Sequence, residues 1–141
     1  MTYEELQAKI ADIESLIDLR YRKAMDQYHK YWCECIERGK VVVKTRPTRA
    51  LYERQANDAI DRVKKEYAME NSPADVGDII KSGKWVMRVE RIEAAAFEQP
   101  TLRFYGTFLS KRTLEPLRVQ HYFGILQNDI EKVIKSNPTN F

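Results

Sequence analysis

The chain has 141 residues, 43% hydrophobic and 32% charged, and its 24 Lys and Arg against 21 Asp and Glu give a formal charge of +3. That length suits one compact domain or a small domain carrying a helical extension, and the charge is too small to mark a nucleic-acid binder by itself. No apolar run nears the ~18 residues of a membrane-spanning helix, the acidic start MTYEELQAKIADIE lacks the regions of a signal peptide, and two cysteines fit free thiols in a reducing compartment, so a cytoplasmic protein is expected.

Thr2 to about Arg38 reads as one long helix, uninterrupted by Pro or Gly until Gly39, which is placed to cap its end. Thr2, with Glu5 three residues on, forms a capping-box pattern at the start. Leu6, Ile10, Ile13, Ile17, Tyr21, Ala24, Tyr28, Tyr31 and Cys35 follow one another by threes and fours, which keeps a coiled-coil-like seam on one face. Such a helix is ~55 Å long at 1.5 Å per residue. A small domain cannot cover that length, so another helix, from this chain or a second copy, is expected along it.

The connector that follows carries Arg38, Lys40, Lys44, Arg46 and Arg49 with no acid among them, and Val41 to Val43 favour a short extended piece. A second helix is expected from about Thr48 to Glu70, with Tyr52, Ala56, Ile60, Val63 and Tyr67 on one face. At ~35 Å it leaves about a third of the first helix uncovered. Asn71-Ser72-Pro73 breaks it, dividing a helical, oligomerising region, 1–72, from a second domain, 73–141.

From Val76 the apolar period falls to two. Two short strands are expected around a turn at Ser82-Gly83, the second alternating Trp85, Met87 and Val89 with Val86, Arg88 and Glu90. The next puts Leu102, Phe104, Gly106 and Phe108 on one face and Arg103, Tyr105, Thr107 and Leu109 on the other, with Gly106 as the point where the strand bends. A further strand is expected at Leu117 to Val119, and a last helix from about Tyr122 to Lys135, showing Leu126, Ile130, Val133 and Ile134. The expected fold is therefore α+β: a long antiparallel helical pair, then a small antiparallel sheet or SH3-like barrel capped by a C-terminal helix. The tail Ser136 to Phe141 is expected to fray.

His29 and Cys33, at i and i+4, share a helix face and supply half of a zinc site. Cys35 lies about 200° round from Cys33, so one helix cannot complete the set. The pattern favours buried or half-buried thiols beside Trp32, and no metal or cofactor is expected. The chain also lacks a nucleophile elbow and a phosphate-cradling glycine loop, and its two histidines, His29 and His121, lie in different segments. No catalytic residues are expected.

What remains is binding. Leu6, Ile10, Ile13, Ile17, Tyr21, Tyr28, Tyr31 and Trp32 are the expected protein interface, since large amphipathic rings anchor such surfaces. Residues 76–141 carry 10 basic and 7 acidic side chains, so the positive bias falls on the second half. There Arg88, Arg103 and Tyr105 share a sheet face, and Lys111, Arg112 and Arg118 surround the next loop, a set able to stack bases and meet phosphates. The expectation is a non-catalytic homo-oligomeric module that contacts a macromolecular partner, such as an inhibitor or adaptor of a nucleic-acid-processing machine from a mobile element. Direct nucleic-acid binding through the sheet face is the first alternative, and a small ligand in the barrel the second.

Overall fold

The computed structural model describes residues 1–96 and 99–135. The expectation for the tail, 136–141, lies outside them. The architecture is α+β: two helices, α1 (Tyr3–Glu37) and α2 (Arg49–Glu70), precede five antiparallel strands, β1 (Ile79–Ser82), β2 (Trp85–Ala95), β3 (Thr101–Phe108), β4 (Ile125–Leu126) and β5 (Lys132–Ile134). The chain divides into two compact units, Met1–Val63 and Lys64–Phe141. No described helix is long and apolar enough to cross a membrane.

In the first unit, α1 begins and ends as its local sequence dictates. The Thr2 hydroxyl accepts from the Glu5 amide at 3.1 Å, satisfying one of the donors a helix start leaves free. At the other end Gly39, at φ +65°, lets the Lys40 amide reach the Cys35 carbonyl at 2.8 Å and the Gly39 amide the Ile36 carbonyl at 3.3 Å, a Schellman closure. Leu6 and Cys35 are buried and the residues of the seam between them half-buried, while the opposite face is polar and exposed. Helix α2 meets α1 at its start, near Asp18 and Tyr21. Tyr52 meets the Tyr21 ring edge-on at 5.5 Å, Arg49 pairs with Asp18 at 3.6 Å, and Glu14, Ile17, Ala56 and Ile60 line the same hollow.

Past Tyr21, where α2 begins, the seam of α1 is met by the connector. The Tyr31 hydroxyl accepts from the amides of Val43 (2.9 Å) and Lys44 (3.2 Å), and the Lys44 ammonium stands 4.7 Å over the same ring. Further along, Arg46 lies against Tyr28 and Trp32, and Arg49 stands over Tyr21 at 5.4 Å. The connector's cations thus lie on the tyrosines of the seam, an arrangement that combines cation–π attraction with packing of the side-chain stems. Val41 to Val43 pair with no strand.

The second unit is built on an open sheet in the order β4-β3-β2-β1-β5. Its core is Phe104, Phe108, Ile80, Met87, Leu102 and Val89, all at 1% exposure or less, with Ala68 from the end of α2 and Ala74 packed against them. These side chains share one face because β1 to β3 alternate apolar and polar residues. The alternation slips once: Val89 faces Gly106 and Arg91 faces Tyr105, so Glu90 is an extra residue on β2. Gly106 is required opposite that bulge, since a Cβ there would lie 1.9 Å from the Arg88 carbonyl oxygen.

Three expectations for this half are corrected. The sheet does not close into a barrel, because β4 and β5 are its two edges. Residues 122–135 hold no helix; they form β4, a 3-10 turn over Gln127–Asp129, and β5. The backbone edges of β3 and β1 need partners, and Ile125 pairs with Phe104 and Val133 with Ile80 to supply them. Pairing with a preformed sheet outweighs the weak helical spacing of a segment with three turn-forming residues at its centre. Leu117 to Val119 form no strand either. Only the bridge Leu109–Pro116 and the Leu117 amide to the Phe108 carbonyl, at 3.0 Å, tie that stretch to β3.

Candidate functional site: a basic and aromatic groove on the sheet

The outer face of the sheet is set by the same alternation that builds the core. Arg103, Tyr105 and Thr107 of β3 project from it opposite Glu93, Arg91 and Arg88 of β2. The bulge at Glu90 turns Arg91 outward, onto the face of Tyr105 and away from the core. Its guanidinium lies 4.5 Å from the centre of that ring and 3.3 Å from the Glu93 carboxylate. The Thr107 hydroxyl donates to the Glu90 carboxylate. Both acids on this face are therefore engaged, whereas Arg88 and Arg103 are exposed and have no carboxylate within 4.0 Å among the described residues.

Beside this face, residues 120–124 leave the ladder and make one wall of an open groove of about 670 Å³. Glu90, Arg91, Tyr105, Gly106 and Thr107 form its floor, and Gln120, His121, Tyr122 and Phe123 its wall. The wall is held by a side chain acting as a strand. Gln120 Oε1 accepts from the Phe108 amide at 2.7 Å, while its Nε2 donates to the carbonyls of Phe108 (3.0 Å) and Leu117 (2.7 Å). Gln127 repeats half of this at the other end, accepting from the Leu102 amide at 3.2 Å. Between the two clamps β4 covers the edge of β3 at Arg103 and Phe104, and Tyr105 to Thr107 line the groove.

The rings of the wall divide by role. His121 and Phe123 pack edge-on or tilted against Trp85 and Phe108 at 4.8–5.4 Å and against each other at 5.7 Å, which fixes them. Tyr122 is 96% exposed and packs on nothing that hides it. Gly124 lies under the stem of Arg103: a Cβ there would meet Arg103 Cγ at 2.4 Å and Tyr105 Cε1 at 2.9 Å. Glycine at 124 is thus what lets the Arg103 stem and the Tyr105 ring pass this close to the backbone.

Compared with protein-family models, curated proteins and solved structures, the chain matches none.

Of the residues picked from the sequence, Arg88, Arg103 and Tyr105 stand together on the outer face. Lys111 and Arg112 are exposed in the turn after β3, and Arg118 is exposed in the stretch before the wall; none of the three lines the groove. In the first unit, Leu6 is buried, Ile10, Ile13, Ile17, Tyr21, Tyr28 and Tyr31 are half-buried along the seam, and Trp32 is exposed on a neighbouring face, stacked on His29 at 6.4 Å. Sequence reasoning missed Arg91, Thr107, Gln120, Tyr122, Phe123 and Gly124. The spacing Val89 to Ile92, three where two is the rule, is the signal that marks the bulge and so Arg91. Nothing in the local sequence marks the Gln120 clamp.

Proposed function

We propose that the protein is a non-catalytic binding module of the cytoplasm whose sheet groove takes single-stranded nucleic acid. The observation that carries this reading is the outer sheet face: Tyr105 with its stacked Arg91 in the groove, the exposed Tyr122 on its rim, and, on the same face outside the groove lining, Arg88 and Arg103 with no carboxylate within 4.0 Å among the described residues. Flat rings offer a surface for bases at ~1–3 kcal/mol per stack, and guanidinium groups pair with phosphates. A duplex is too wide to stack on such rings without unpairing, so a single strand is the better fit.

The test is fluorescence anisotropy with labelled 12-nucleotide single strands of DNA and RNA, beside a duplex of the same sequence. The wild type binds the single strands more tightly than the duplex. Arg103→Glu and Tyr105→Ala each weaken binding at least tenfold while leaving the circular dichroism unchanged. Equal affinity for both variants and the wild type would overturn the reading.

A second reading concerns the helices: copies of the chain associate along the seam of α1. It is favoured by Ile10, Ile13 and Ile17 remaining only half-buried although α2 lies beside them. Sedimentation equilibrium of the wild type and Ile13→Lys tests it, a monomeric wild type being the contrary result.

A further inference from the structure

A second stripe runs along the C-terminal half of α1, roughly 100° round from the seam. Met25, His29, Trp32 and Ile36 follow by four, three and four, the spacing of residues that face a partner helix. Trp32 is 42% and Ile36 58% exposed. Within this stripe Cys33 Sγ lies 3.6 Å from His29 Nε2, with the His29 ring stacked on Trp32 at an interplanar angle of 14°.

That separation matches one edge of a tetrahedral metal site. With Zn–N near 2.0 Å and Zn–S near 2.3 Å, two such ligands of one zinc ion lie about 3.5 Å apart. A helix presents His and Cys at i and i+4 side by side, so the two groups, here hydrogen-bonded to each other, already stand at chelating separation. One chain offers only these two ligands. Among the described residues no group of three or more His, Cys, Asp or Glu side chains is gathered for a metal. A structural zinc site takes four. A two-fold axis through the stripe supplies the missing pair, because such an interface places the same patch of both copies in contact.

We infer that two copies of the chain join through this stripe around a zinc ion held by His29 and Cys33 of each. The two thiols lose their protons to solvent on binding, so the ion and two thiolates sum to neutrality. A neutral centre adds no charge to a face bordered by Arg46 of the connector and by Arg22, itself paired with Asp18 at 3.0 Å. Trp32 and Ile36 border the pair along one side and supply the apolar burial that a metal bridge alone lacks. The site is distinct from the seam and from the sheet groove, and stands whether or not nucleic acid binds.

The experiment uses the full chain, stripped of metal with a chelator, in sedimentation equilibrium with and without added Zn²⁺. The inference predicts a shift from one mass to its double at one Zn²⁺ per two chains. With Co²⁺ as the probe, a tetrahedral visible spectrum and a thiolate-to-metal band appear at the same ratio. His29→Ala and Cys33→Ser each abolish both signals with unchanged circular dichroism; Cys35→Ala, altering the buried seam thiol, and Ile13→Lys leave both in place. An unchanged mass on adding Zn²⁺, a stoichiometry of one ion per chain, or a cobalt spectrum that survives Cys33→Ser would each overturn it.

Discussion

Replacing Gln120 by alanine removes a clamp without touching any ring or cation of the groove. The side chain makes three hydrogen bonds, at 2.7, 3.0 and 2.7 Å, two of them to the backbone of Phe108, a residue with no exposed surface. A net ~0.5–1.5 kcal/mol for each such bond gives a loss of about 2–4 kcal/mol, the upper part applying if the freed amide and carbonyls find no water. Against an m-value on the order of 1–2 kcal/mol per molar urea, the unfolding midpoint of the second unit falls by roughly 1–3 M. Trp85 contacts Phe108, His121 and Phe123 at 5.4, 4.8 and 5.1 Å, so its fluorescence reports on this corner. Trp32 is the other tryptophan, and a Trp32→Phe background isolates the signal. In the same variant the 120–124 wall loosens, and affinity for single strands falls although every binding side chain remains. A midpoint within 0.3 M of the parent would refute the account of the clamp.

Other substitutions probe other joints. Gly106→Ala forces the Arg88 carbonyl away from the bulge, and urea titration should show a loss of about 2–4 kcal/mol, larger than for an alanine at exposed Thr113. Lys135→Met removes the cation 3.0 Å from the buried Asp78 carboxylate; since the lysine is half exposed, the expected loss is about 1–3 kcal/mol, read as a lowered thermal midpoint. Tyr31→Phe keeps the ring under Lys44 but not the acceptor for two amides, so hydrogen exchange at Val43 and Lys44 should accelerate while that of α1 stays unchanged. Gly124→Ala displaces the Arg103 stem and the Tyr105 ring that pass close to this glycine and should weaken single-strand binding as much as Arg103→Ala, measured by anisotropy.

Much of the fold was readable because it is local. Thr2 and Gly39 bound α1 by hydrogen bonds that span a few residues, and the three-and-four spacing from Leu6 to Cys35 names the face that is least exposed. The period of two likewise separates Phe104 and Phe108 from Arg103 and Tyr105, and Gly106 does mark the distortion of the strand pair. The misreadings all involve partners distant in sequence. Ile125 and Val133 join strands because β3 and β1, more than twenty residues away, have edges to fill. The connector is exposed along most of its length, and its tie to Tyr31 of the preceding helix is likewise a contact that no local pattern shows. For the groove, Arg103 and Tyr105 were visible as a pair, but its wall was hidden in a segment with helical spacing, and Gln120 acts through hydrogen bonds to a strand that no local pattern reveals.

The groove itself is tested most directly by titrating a 12-nucleotide single strand into isotope-labelled protein and following the backbone amide resonances. Binding there predicts shifts concentrated at 90–91, 103–107 and 120–124, with α1 unmoved, and a salt dependence of about −1.4 to −2 in log K against log salt for the two or three phosphates that Arg88, Arg103 and Arg91 can meet. Shifts confined to residues 38–49, or no shifts at millimolar strand, would contradict it.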